Sequence, residues 1–137
     1  MGNSNLVNVK VPAHSNNYTV GRSGRKIEYI TIDELDKVKL KVGQIKNVER
    51  IEKADKLYKL TVDLGNELRT IVSGLVKYYS AEELLNKQVV VVTNLKPVKL
   101  RGVESQGMLL AAGDDDIVKL LTLDSNQGNL ENGSNIH

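Results

Sequence analysis

The sequence has no cysteine, tryptophan or phenylalanine and only two histidines. Without cysteine, neither a disulfide framework nor a thiolate site is possible. No apolar run approaches the roughly 20 residues that a membrane-spanning helix needs. The start "MGNSNLVNVK" is polar and unlike a secretory leader. The expectation is therefore a soluble, cytoplasmic protein with no membrane association. His14 and His137 stand near the two ends of the chain, so no general base is expected in a core cleft, and Ser73, Ser80 and Ser105 have no partner histidine. A glycine-rich phosphate loop followed by Lys-Ser/Thr is also missing. Asp114, Asp115 and Asp116 lack the spaced oxygens of a calcium loop and read as a solvated acidic turn. The chain is expected to hold no catalytic residue, no metal and no cofactor.

What is present is an uneven charge. The net charge is only +2 over 137 residues, enough chain for one domain with a modest core. Residues 37–59 nevertheless hold eight Lys/Arg against three acids, whereas residues 104–137 hold one base, Lys119, against six acids. Separated fields of this kind can steer an anionic partner to one side of a nearly neutral molecule. Lysines that guard exposed strand edges would give the same pattern.

Residues 1–29, rich in Asn, Ser and Gly, read as a flexible arm or linker, and residues 30–137 as the domain. Thr31 and Glu34 have capping-box spacing, which predicts a short helix or turn at the domain's start. "VKLKVGQIKNVERI" loses its alternation after Gly43, as expected of a long strand bent at a glycine. "YKLTVDLG" alternates cleanly, Gly65-Asn66 forms a turn, and "LRTIVS" returns. A second capping box, Ser80 with Glu83, predicts a short helix. "KQVVVVTNL" then reads as a strand buried on both faces, followed by "GMLLAA" and "IVKLLTL". Three strands, a helix and two strands is the order of the OB fold, an all-β, five-stranded Greek-key barrel. The helix falls between strands 3 and 4, and other small barrels share the pattern.

In such a barrel the loops joining strands 1–2 and 4–5 border the binding face. They are expected at "EKADKL", residues 52–57, and at "NLKPVKLRGVESQGM", residues 94–108. Lys53, Lys56, Lys96, Lys99 and Arg101 would converge at one mouth, where they could neutralise phosphates. Arg101 offers a fork suited to phosphate or a guanine edge. Asn94, Ser105 and Gln106 offer neutral hydrogen bonds, and Met108 a soft apolar contact. Asn94 reads equally well as a turn former and Met108 as a core filler. If the strand runs extended after Pro97, Val98 and Leu100 would pack inward while Lys99 and Arg101 face out. Tyr58 falls on the core parity, and Tyr78 and Tyr79 beside the helix, which leaves little for base stacking. The anionic partner that fits is a folded RNA recognised by shape and backbone.

The segments "LKVGQI", "ADKLYKLTVDLG", "TIVSGL", "KYYSAEELLNKQVVVVTNLKP" and "KLRGVESQGMLLAA", in this order from about Ile30 onward, resemble the tRNA-binding OB domain. That family includes the C-terminal part of bacterial methionyl-tRNA synthetases, free-standing structure-specific tRNA-binding proteins, and the EMAP II and Arc1p group. The resemblance implies non-catalytic, anticodon-independent binding of folded tRNA in support of aminoacylation, probed near the elbow of the molecule. It implies a homodimer completed by segments flanking the barrel, and a synthetase catalytic domain either covalently linked or associated. The RNA contacts it implies are Lys56, Asn94, Lys96, Arg101, Ser105 and Met108, with Lys99 and Ser73 in addition. "KLKV" at residues 39–42 departs from the family's usual "DLRV". "NGSNIH" resembles the family's closing turn, which makes the barrel and its C-terminal flank look complete. Two other readings accompany this one: a module for dimerising or assembling a synthetase, and a general single-strand binder.

Overall fold

The computed structural model describes residues 27–124, 128 and 130–137. Most of the expected arm, including His14, lies outside the described residues. The chain forms two compact units, Met1–Leu35 and Asp36–His137. In the first, a single turn of helix, α1 (Ile32–Leu35), is opened by the predicted capping box. Glu34 N donates to Thr31 Oγ1 at 3.1 Å and Thr31 N to Glu34 Oε1 at 3.0 Å. Two orphan amides at the helix start are thereby satisfied.

The second unit is a barrel. Its strands are β1 (Leu40–Ile51), β2 (Ala54–Asp63), β3 (Leu68–Ser73), β4 (Gln88–Val92), β5 (Val98–Leu100), β6 (Val103–Ser105), β7 (Met108–Leu109), β8 (Ala111–Gly113), β9 (Val118–Leu120) and β10 (Asn135–Ile136), with helix α2 (Ala81–Leu84) between β3 and β4. The main sheet runs β3-β2-β1-β4-β7, every pairing antiparallel. Closure comes from the segment before β7. Gln106 N donates to Thr70 O at 2.8 Å, Thr70 N to Gln106 Oε1 at 3.0 Å, and Val72 N to Ser105 Oγ at 3.0 Å. β7 and the segment just before it therefore lie between β4 and β3, the place of the last strand of an OB barrel.

Alternation sets the core. Tyr58, Leu60, Val62 and Leu64 are buried, whereas Lys59, Thr61 and Asp63 between them are partly exposed. They meet Ile45, Ile71, Leu75, Leu84, Val89 and Val91 in one cluster. Full burial of each large aliphatic side chain contributes about 1.5–3 kcal/mol. All four β4 valines are buried, as expected for a strand covered on both faces. The C-terminal β10 extends the line of β2 along the first half of β1, pairing Leu40 with Ile136 and Lys41 with Asn135.

Helix α2 brings Leu84 into that cluster, and its start is held by the second capping box, Ser80 with Glu83. Its hydrogen bonds with Ser80, the backbone bond foremost, hold the Glu83 carboxyl below the ordinary carboxylate value. A depressed carboxyl stabilises the fold above its unfolded value and loses that contribution as pH falls through the folded one. Ser80→Ala is expected to cost about 1 kcal/mol, read from the urea midpoint at neutral pH. Alanine keeps the Ser80 amide that bonds the Glu83 carboxylate, so the difference from the parent should change little as pH falls below about 4.3. An unchanged midpoint at neutral pH would show the box to be dispensable.

Three expectations need correction. The irregularity in β1 is not at Gly43 but at Lys46, where Ile45 pairs with Val62 and Asn47 already with Thr61. Residues 52–57 are not a loop, because β2 begins at Ala54 and only Glu52 and Lys53 turn. "GMLLAA" is not one strand, for it breaks at Leu110 into β7 and β8.

Candidate nucleic-acid interface

The expected 94–108 loop contains structure of its own. Val98 pairs with Ser105, Lys99 with Glu104 and Leu100 with Val103, making an antiparallel hairpin of β5 and β6. Its two loop residues, Arg101 and Gly102, have φ of 50° and 80°. Two successive left-handed residues make the tight turn that matches strand twist, and a glycine at the second place suits it. Arg101 thus stands at the tip of an arm. Val98 and Leu100 do not pack inward: they are 57% and 40% exposed, because the arm lies outside the barrel wall.

The turn between β1 and β2 supplies the other half of the site. Lys53 has φ 65°, and past it the register slips, with Arg50 opposite Tyr58 but Ile51 opposite Ala54. Asp55, Lys56 and Leu57 are therefore extra residues on β2, held by Arg50 Nη2 donating to Asp55 O at 3.2 Å. This bulge exposes Lys56 even though its parity matches that of buried Tyr58. Lys53, Ala54, Asp55, Lys56, Leu57 and Arg101 line one shallow cleft of about 450 Å³.

The structure thus brings together Lys53, Lys56 and Arg101. Lys96 and Lys99 are exposed on the arm, but they do not line the cleft. Among the described residues none of these five cations makes an ion pair, and the single pair is Arg69 with Glu67. Their charge is available to an outside anion. Met108 is 48% exposed on β7, so it is not a core filler, and Ser73 ends β3 opposite Tyr58. The side chain of Asn94 is bonded inside the unit: Lys39 N donates to its Oδ1 at 2.9 Å, and its Nδ2 donates to Lys37 O at 2.6 Å. Ser105 is 3% exposed, accepts from Val72 N and donates to Gly107 O at 3.2 Å. These two side chains hold the stems of the arm.

Sequence reasoning passed over Arg69 on β3. Its Nη1 donates to Thr93 O and to Gln106 O, and its Nε and Nη2 donate to Glu67 Oε1 and Oε2 at 3.0 and 3.3 Å. The hydrogen bond from Arg69, helped by the charges of Arg69 and Lys41, keeps the Glu67 carboxyl below the ordinary value. The signal available was an arginine in a strand that otherwise reads as a core element, two residues from an acid.

Aromatic platforms are scarce in the barrel. Tyr58 is buried and donates to Tyr79 O, Tyr79 Oη accepts from Leu120 N, and Tyr78 donates to Asp115 O. Asp114 closes the β8–β9 turn by accepting from Asp116 N and Ile117 N at 2.9 and 3.2 Å. Among the described residues no cluster of His, Cys, Asp and Glu suits a metal, and no helix is long and apolar enough to cross a membrane.

Residues 40–134 match the family model of the tRNA binding domain. The chain belongs to this family. This tRNA binding domain is 56% identical over 116 residues to the methionine–tRNA ligase of Methanococcus maripaludis strain C5, a match covering 85% of the chain and 17% of the ligase. The chain thus spans about a sixth of the length of the ligases it resembles. Among solved structures, the MetRS related protein from Pyrococcus horikoshii superposes with a TM-score of 0.74 at 42% identity, over 81% of this chain and all of that one (100%). The CsaA chaperone protein from Picrophilus torridus gives 0.71 at 31% identity, over 80% and 100%.

Proposed function

We propose that the protein binds folded tRNA, without regard to the anticodon, through the cationic corner formed by the β1–β2 turn and the β5–β6 arm. It performs no chemistry on the tRNA. It raises the local tRNA concentration for methionine aminoacylation, as a homodimer joined to or associated with a synthetase catalytic part. The observation that carries this reading is the unpaired set Lys53, Lys56 and Arg101 around one cleft, in a chain of the tRNA binding domain family. Lys96, Lys99, Met108 and Ser73 extend the contact along the arm and the adjoining sheet. Asn94 and Ser105 fix the arm's stems through their bonds within the barrel, and exposed Asn94 keeps a second amide N–H with which to meet the RNA. The few aromatic surfaces favour backbone and shape recognition over stacking of bare bases.

In a gel shift, labelled tRNA is expected to be retained, and unlabelled tRNA of any anticodon to displace it at concentrations where poly-dT does not. Displacement by poly-dT ahead of tRNA would make the domain a single-strand binder. No shift with any nucleic acid would leave an assembly module. Sedimentation of the free protein at twice the monomer mass is the expected result for the homodimer.

A further inference from the structure

We propose that Arg69 is a positioning residue for RNA binding: one guanidinium ties both stems of the β5–β6 arm and aims its tip, Arg101, at the β1–β2 corner. The inference rests on the tRNA-binding reading for its functional consequence, and on geometry alone for the clasp. Thr93 and Gln106 are the residues on either side of the arm, and Arg69 Nη1 donates to both of their carbonyls. Neighbouring Thr70 bonds Gln106 twice, through its own amide and its own carbonyl. Thr93 is held on the other side by Lys39 O, which accepts from its amide at 2.9 Å and its hydroxyl at 3.0 Å. Among the described residues, 95–104 form no hydrogen bond to the rest of the barrel. The arm's hydrogen-bonded attachment is confined to its stems.

The stems therefore decide where the tip goes. From Gln106 back to Arg101 the chain reaches about 17 Å at most, so a tilt of about 7° at the base moves the tip by about 2 Å. A displacement of that size shifts Arg101 relative to Lys53 and Lys56 in the cleft that the three line. Arginine suits the task because its planar fork holds two carbonyls on one side and a carboxylate on the other. Glu67 completes the arrangement by accepting two parallel bonds, which fixes the plane of the guanidinium. The Arg69 side chain is 23% exposed, four of its five N–H donors are bonded within the protein and Glu67 balances its charge, so it is not expected to act as a phosphate contact.

That distinction can be measured. Replacing a phosphate-contacting cation lowers both the affinity and the slope of log K against log salt, by about one for each contact. Arg69→Ala is expected to weaken tRNA binding about tenfold with the slope unchanged. Hydrogen exchange of the amides of residues 95–105 should speed up at least tenfold, while Ile45, Leu60 and Val62 in the core keep the parent's rates. Arg69→Lys keeps the charge and the alkyl stem but loses the fork, so it should shift affinity and arm exchange in the same direction. Should Arg69→Ala loosen the core amides too, the lysine variant decides. Unchanged arm exchange, a slope lowered by one, or full rescue by lysine would each overturn the clasp. If the parent and every variant fail to bind tRNA, the RNA reading falls, and exchange in the arm still judges the clasp.

Discussion

The triple variant Lys56→Ala/Lys96→Ala/Arg101→Ala is expected to lose about 100-fold in affinity for tRNA near 150 mM salt, and to lower the salt slope by about three. All three side chains are exposed, and among the described residues none has a carboxylate partner, so removing them breaks no bond of the fold. Exposed cations of this kind contribute about 1 kcal/mol each to an ionic contact. Three of them sum to about 3 kcal/mol, which is roughly a factor of 100. Substitutions at such sites change stability by about 0.5 kcal/mol or less, so the melting curve should overlay the parent's. Each single variant should show a fraction of the loss, with Lys56→Ala and Arg101→Ala acting on the same cleft. Lys96 lies off that cleft, so its share measures how far the RNA runs along the arm. Parent-like binding by the triple variant would remove the corner from the interface. Weakened binding at an unchanged slope would give these residues a structural part, the outcome expected of Arg69 instead.

What could be read from the sequence was local. Tyr58, Leu60, Val62 and Leu64 alternate because β2 buries one face, and both capping boxes need only a hydroxyl and a carboxylate three residues apart. The β5–β6 hairpin was hidden because its turn is Arg-Gly, without the asparagine or aspartate that usually marks such turns. Val98 and Leu100 looked like inward residues because alternation says which side chains share a face, not which face the protein covers. That Asn94 and Ser105 are bonded within the barrel could not be read, because a polar side chain in a loop shows nothing of its partners. Those partners are Lys37, Lys39 and Val72, distant in sequence and adjacent only after the barrel closes. Lys56 was expected at the corner for the wrong reason: a bulge in β2, not a loop, turns it outward.

Gly43→Ala is expected to destabilise the barrel by about 3 kcal/mol, near the upper end for overpacking, and to lower the melting temperature by on the order of 15 °C. The reason is space and not backbone freedom, since Gly43 is not among the residues of positive φ. A Cβ there would lie 2.6 Å from Val62 Cγ1, 2.8 Å from Val91 Cγ2 and 3.2 Å from Leu64 Cδ2. Valine at both close contacts leaves little escape, because β-branched side chains are stiff at χ1. The backbone cannot withdraw either, for Gly43 pairs with Val89 on β4 and its neighbour Gln44 pairs with both β4 and β2. Val62→Ala removes the nearest atom and opens a cavity of its own. The double variant Gly43→Ala/Val62→Ala should therefore be more stable than the sum of the two single losses by about 1 kcal/mol or more. Additive losses in urea unfolding would mean that the strands relax apart around the new methyl group. The cationic corner is remote from Gly43 along β1, so the single variant should still bind tRNA at temperatures where it remains folded. Loss of binding in the folded variant would instead tie the position of the corner to the packing beneath β1.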